Sequence, residues 1–165
     1  MNTMAPTRPT ELRWRRARLT TGSAAAAEAR HQVRAAIRTW DVPVDPDIAI
    51  LLTSELVTNA IRHEAGGSVT LAITGSCDQL RVDVHDTSRF LPVLEDASAE
   101  AETGRGLMLV DTLSAEWGSY RTPAGKVVYF TLAFQPDLAE VGGHGPQGVH
   151  KIGRASCRER VLMPV

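Results

Sequence analysis

Along the chain the spacing of apolar residues shifts between a helical and a strand period, and the shifts mark out the elements. Residues 14–20 read as a short strand, Arg-rich on one face. Between Ala24 and Trp40, the residues Ala29, Val33, Ala36, Ile37 and Trp40 recur at spacings of three and four, as an amphipathic helix requires, with Ser23 at the N-cap position. Asp45-Pro46-Asp47 opens a second helix. Asp45 is a capping residue, Pro46 suits the first turn, and Asp47 favours the positive end of the dipole. Gly66-Gly67 supplies the left-handed residue that ends this helix. From Ser68 the period drops to two. Val69, Leu71 and Ile73 alternate with polar or small residues, a turn follows at residues 75–78, and Leu80, Val82 and Val84 alternate with Arg81, Asp83 and His85. That is a hairpin with one buried face. A short helix is expected over 107–114, and a strand over 126–134 after the turn at 122–125. Residues 89–103 have little periodicity and contain Pro92 with an acidic, small-residue run. Aperiodic stretches of that length inside a compact domain are usually functional or mobile.

Length and composition narrow the setting. At 165 residues the chain suits one domain with a modest core. No apolar run approaches the roughly 20 residues that span a bilayer, and residues 1–18 have no apolar stretch of a secretory signal. The two cysteines, Cys77 and Cys157, do not build a disulfide framework, and no CxxC or HExxH spacing offers a metal site. The net charge of −1 argues against a general binder of nucleic acid or membrane surfaces. A cytoplasmic protein with no direct nucleic-acid or membrane partner is therefore expected. The charge is uneven: Arg8, Arg13, Arg15, Arg16, Arg18, Arg30, Arg34 and Arg38 face only Glu11 and Glu28 over the same stretch. This patch reads first as a solvated face, and second as an attraction for an acidic partner or nucleic acid. Residues 1–12 are expected to be a disordered arm, 13–136 the folded domain and 137–165 a flexible tail. The last part, 151–165, resembles a vector-derived read-through tail.

Three groups of residues carry candidate chemistry. Glu55, Asn59 and His63, four residues apart, stack along one side of the second helix with Cβ atoms about 5–6 Å apart. They fall within the arc that also holds Ile48, Leu51, Leu52 and Leu56, so they face inward and need partners. A network in which Asn59 satisfies Glu55 and His63 is the alternative to a ligand site. On the strand 80–86 the buried face runs Leu80, Val82, Val84, Asp86, which aims the Asp86 carboxylate inward beside Thr87 and Ser88. Such a carboxylate accepts hydrogen bonds from an amino group such as adenine's, or else caps the following loop. Gly104-Arg105-Gly106 directly precedes the helix 107–114. Glycines permit close backbone approach, and the free N–H groups of a helix N-terminus suit phosphate. No Walker A motif is present, and the third glycine and preceding strand of a dinucleotide fingerprint are missing.

In this order the three groups resemble the ATP-binding domain of the GHKL superfamily, which includes gyrase, Hsp90, histidine kinases and MutL. Residues 55–63 (ELVTNAIRH) are similar to the N box. Val84-His85-Asp86-Thr87-Ser88 with Pro92 is similar to the first glycine box, and Gly104-Arg105-Gly106-Leu107 to a shortened second one. Trp117-Gly118 and Gly125-Lys126-Val127-Val128 are similar to the closing strands. The closest form is the short, stand-alone anti-sigma factor serine/threonine kinase of Gram-positive bacteria.

The resemblance implies an α+β, two-layer sandwich of the Bergerat type, with helices on one face of a mixed, mostly antiparallel sheet. ATP and Mg²⁺ are the implied cofactors. Asn59 would ligate Mg²⁺, and Glu55 would be the general base on a Ser or Thr hydroxyl. Asp86 would hold the adenine amino group, and His63 and Ser88 would lie at the pocket. Gly104, Arg105, Gly106 and Leu107 would close over the phosphates, with 89–103 as the lid. Val127 stands where many members carry a Thr near the adenine. The implied partners are an anti-anti-sigma protein, which is phosphorylated, and a sigma factor, which is silenced; a homodimer is compatible with this. The rival is a non-catalytic, ATP-gated module that sequesters a sigma factor or another regulator.

Overall fold

The computed structural model describes residues 12–20, 22–63, 67–89 and 102–135, with the backbone alone for 102–105. Most of the expected lid, the tail 137–165 and the arm before residue 12 lie outside these. The described elements run β1 (Arg13–Leu19), α1 (Ala24–Trp40), α2 (Pro46–His63), β2 (Val69–Gly75), β3 (Gln79–Asp86), α3 (Glu102–Leu113), β4 (Glu116–Thr122) and β5 (Gly125–Ala133).

α1 occupies the expected span and buries Ala25, Ala29, Val33, Ala36 and Ile37. Ser23 does not cap it: the residue has αR geometry and makes no side-chain cap hydrogen bond. Gly22 takes over, its carbonyl accepting the N–H of Ala25 at 3.2 Å. Asp45 does cap α2, its Oδ1 accepting the N–H groups of Asp47 at 2.8 Å and Ile48 at 3.4 Å. α2 buries Ala49, Leu52, Thr53, Leu56, Val57 and Ala60, while Leu51 is exposed. The buried stripe is therefore rotated from the arc expected from Ile48, Leu51, Leu52 and Leu56: it keeps Leu52 and Leu56 and leaves Leu51 outside.

The five strands form one sheet in the order β1-β2-β3-β5-β4. All four pairings among the described strands are antiparallel; the expected sheet was mixed but mostly antiparallel, and no parallel pair occurs among them. The helices supply the second layer. Leu71, Ile73, Leu80, Val82, Val84, Val128, Phe130 and Leu132 point from the sheet into the same core as the buried faces of α1 and α2. Register follows the period of two: Ile73 sits opposite Val82, and Val82 opposite Phe130. Arg13, Arg15 and Arg30 of the basic stretch are engaged internally, on the Trp40 carbonyl, Gln32 and Ser54.

The other sheet face carries a polar cluster. Arg81 grips the Asp83 carboxylate at 2.7 to 3.0 Å and lies 3.9 Å over the Tyr129 ring, whose hydroxyl donates to Glu116 at 3.0 Å. His85 is half-buried on this face. Burial holds its imidazole below the usual value of 6.5; Asp83 opposes the shift, and Arg16 and Arg81 add to it. The folded chain thus binds a proton less readily at His85 than the unfolded chain does. The stability this contributes is complete above pH 6.5 and is lost as pH falls from there through the lowered folded value. Melting temperatures of the wild type are expected to decline over that window. His85→Gln should show a shallower decline, and a parallel pair of pH profiles would remove His85 as its source.

Candidate functional site

The candidate residues fall in two groups: Asp86 at the C-terminal end of β3 with Lys126 at the start of β5, and Glu55 and Asn59 on α2, where Gly106 of α3 comes against Glu55. Asp86 is the last residue of β3, and it points inward as the alternation requires. Its side chain is 1% exposed. Oδ1 accepts the backbone N–H of Ser88 at 2.8 Å. One oxygen thus does cap the following loop, and Ser88 enters the site through its backbone. Across the β3–β5 ladder the residue opposite Asp86 is Lys126. Its Nζ lies 3.7 Å from Asp86 Oδ2, and its side chain is 3% exposed.

This placement corrects the expectation for Val127. Val127 pairs with His85 and Tyr120, so the period of two turns it to the sheet face away from the helices. Lys126 is the β5 residue beside the carboxylate. The alternation of Lys126, Val128, Phe130 and Leu132 carries that signal in the sequence, masked there by the habit of placing lysines outside.

Gly125 fixes this crossing. A Cβ on Gly125 would come within 2.6 Å of Thr87 Cα and 2.8 Å of Thr87 C. The two backbones touch directly, which no other residue allows.

On α2, Glu55 and Asn59 are half-buried, whereas His63 is exposed in the last turn. His63 was expected to face inward. The rotation of the buried stripe toward Leu56 and Ala60, together with the end of the helix, leaves it outside. Among the described residues no hydrogen bond links Glu55, Asn59 and His63, so the self-satisfied network is absent. Glu55 instead meets α3. A Cβ added to Gly106 would fall on the Glu55 carboxylate oxygen and lie 3.6 Å from Glu55 Cβ. Gly106 lets the helices approach at this point, and any side chain there would displace the carboxylate.

α3 begins at Glu102, five residues before the expected start. Gly104, Arg105 and Gly106 are therefore in its opening turns and not in a loop. The N–H groups left without helical acceptors are those of the first four residues, 102–105. Leu107, expected at the phosphates, is buried in the core, 4% exposed. Apolar contact explains it: the turn that carries Gly106 onto α2 carries Leu107 and Val110 onto the core.

These features fit a bound nucleotide. A carboxylate at the end of the central strand β3 suits a purine amino group, and the unpaired N–H groups of a helix's first turn suit phosphate. Among the described residues no group of three or more His, Cys, Asp or Glu could hold a metal ion. That is consistent with Mg²⁺, which is commonly held by one or two protein oxygens, phosphates and water. Asn59, half-buried on α2, offers an amide oxygen, a donor of that type.

A helix layer over an antiparallel sheet, with an inward carboxylate at the end of a central strand and glycines in the first turns of α3, is the arrangement of a GHKL-type domain. The histidine kinase-like ATPase domain family model matches residues 19–132. The chain belongs to that family. Among solved structures it is similar to the blue-light activated histidine kinase of Erythrobacter litoralis EL346, with 30% identity over 62% of this chain and a TM-score of 0.42. The match spans 39% of that kinase. No curated protein matches the chain. Among the described residues no helix is long and apolar enough to cross a membrane.

Proposed function

We propose that this domain is an ATP-dependent serine/threonine protein kinase that acts as an anti-sigma regulator. It transfers the γ-phosphate of ATP to a Ser or Thr of an anti-anti-sigma protein, and it silences a sigma factor by binding it. The supporting observation is the half-buried Glu55, held against Gly106 where α2 and α3 meet. A module that only bound nucleotide would not need a carboxylate at that point.

Bound Mg·ATP supplies an activated phosphoryl group. Asp86 accepts the adenine amino group and orients the base. Asn59 would hold Mg²⁺ through its amide oxygen. Gly104, Arg105 and the opening N–H groups of α3 would hold the phosphates. Glu55 would accept the proton of the attacking Ser or Thr hydroxyl as its oxygen bonds to the γ-phosphorus and the bond from that phosphorus to the β-phosphate oxygen breaks, with ADP as the leaving group.

Glu55→Ala is expected to keep ATP binding by calorimetry and to lose about 100-fold or more of phosphate transfer to an anti-anti-sigma protein with labelled ATP and Mg²⁺. Transfer at the wild-type rate would remove Glu55 from the mechanism. A wild-type chain that binds ATP and forms a stable, unlabelled complex would instead favour the ATP-gated sequestering module.

A further inference from the structure

We propose that Lys126 reads the ring nitrogen next to the purine amino group, so that Asp86 and Lys126 together select adenine over bases with a 6-oxo group. This rests on the nucleotide-binding reading above. It concerns a residue to which the proposed mechanism gives no role.

Lys126 cannot be a surface lysine that happens to lie nearby. It is 3% exposed, it sits opposite Asp86 in the ladder, and its ammonium is 3.7 Å from Asp86 Oδ2. A buried ammonium is tolerated only beside an opposite charge, and here the charge is the carboxylate assigned to the base. Its backbone is held as firmly. Gly125, the preceding residue, packs directly on the Thr87 backbone, so β5 cannot slide away from the end of β3. Asp86 is likewise oriented, because its Oδ1 accepts the Ser88 N–H at 2.8 Å. A carboxylate that only accepts and an ammonium that only donates are therefore fixed side by side.

Adenine presents the matching edge. Its 6-amino group donates, and the adjacent N1 accepts. With the amino group on Asp86, N1 comes to the neighbouring ammonium. Hypoxanthine and guanine reverse both roles: a 6-oxo group would face the carboxylate, and an N1–H would face the ammonium. A hydroxyl beside Asp86 would tolerate either edge, since it donates or accepts by rotation. An ammonium has no acceptor to offer, so it rejects the reversed edge. Lys126 thereby makes the pocket more discriminating than the carboxylate alone would.

The test is calorimetric titration of the full chain with Mg²⁺ and ATP, 1-deaza-ATP or inosine triphosphate. Removing N1 should weaken binding about 10-fold, and reversing the edge about 100-fold, as expected for loss and inversion of hydrogen bonds to charged groups. Lys126→Gln keeps a donor and adds an acceptor, and should shrink the preference for ATP over inosine triphosphate about 10-fold. If the wild-type chain binds 1-deaza-ATP as tightly as ATP, the assignment of Lys126 is overturned while the adenine site stands. If it binds no nucleotide at all, the underlying reading falls with it. The analogue series uses the unaltered chain, so it decides the matter even if the variant does not fold.

Discussion

Asp86→Asn is expected to weaken ATP binding about 100-fold or more, the range for losing a buried hydrogen bond to a charged group together with its orienting charge. The substitution keeps the shape of the side chain. It removes the negative charge that faces the buried Lys126 ammonium at 3.7 Å. Breaking one side of a buried pair destabilises strongly, by about 3–5 kcal/mol, so a lower melting temperature is expected as well. The two consequences separate in the double variant Asp86→Asn/Lys126→Gln. Replacing both charges should recover most of the melting temperature, whereas ATP binding should stay lost. Calorimetry on a variant shown to be folded by circular dichroism makes the decision. Undiminished ATP affinity in that folded variant would remove Asp86 from the nucleotide site.

Gly125→Ala should be nearly as damaging, for a steric reason. The added methyl would fall on the Asp86 carbonyl oxygen and within 2.6 Å of Thr87 Cα, and both obstacles are backbone. Neither can rotate away, so the end of β3 or the start of β5 must shift. We expect a loss of about 3 kcal/mol, the upper part of the range for overpacking, and a fall in melting temperature of roughly 10 °C. ATP binding should fall with it, because the same shift separates Asp86 from Lys126. Gly118→Ala is the control. Its added Cβ would meet the Tyr129 side chain at 2.9 to 3.0 Å, and a ring on an open sheet face can turn aside. Its melting temperature should fall much less. Equal losses in the two variants would show that the Gly125 contact has no special weight.

Legibility differed among the site residues, and the differences have local causes. Asp86 was readable because strict alternation through Leu80, Val82 and Val84 leaves no choice about where the next even residue points. Glu55 and Asn59 were readable as one side of a helix, but their depth was not. A helical wheel places residues relative to one another, and only the packing of neighbours selects which arc is buried. The actual stripe runs through Ala49, Leu52, Thr53, Leu56, Val57 and Ala60. That choice leaves Glu55 and Asn59 at the edge and exposes His63 and Leu51. Ser23 looked like a cap by residue type, yet capping depends on a backbone angle that the preceding turn sets.

α3 shows the same limit more sharply. Gly104 and Gly106 disfavour a helix by about 1 kcal/mol each, so local propensity places its start after them. The helix nonetheless begins at Glu102, and Gly106 is where it comes up against Glu55 on α2. A contact between helices that lie far apart in the sequence outweighs the local preference.

The sequence by itself determined the elements with strong periods, the hairpin, the inward aim of Asp86 and the family to which the domain belongs. Each follows from near-neighbour geometry or from an ordered set of short motifs. Only the tertiary structure decided the antiparallel order β1-β2-β3-β5-β4, the rotation of α2, and the meeting of Glu55 with Gly106. It alone placed a buried lysine against the carboxylate, through a β3–β5 pairing that joins residues forty positions apart. Pairings at that separation are chosen by how whole faces of helices and strands pack, and no window along the chain contains that information.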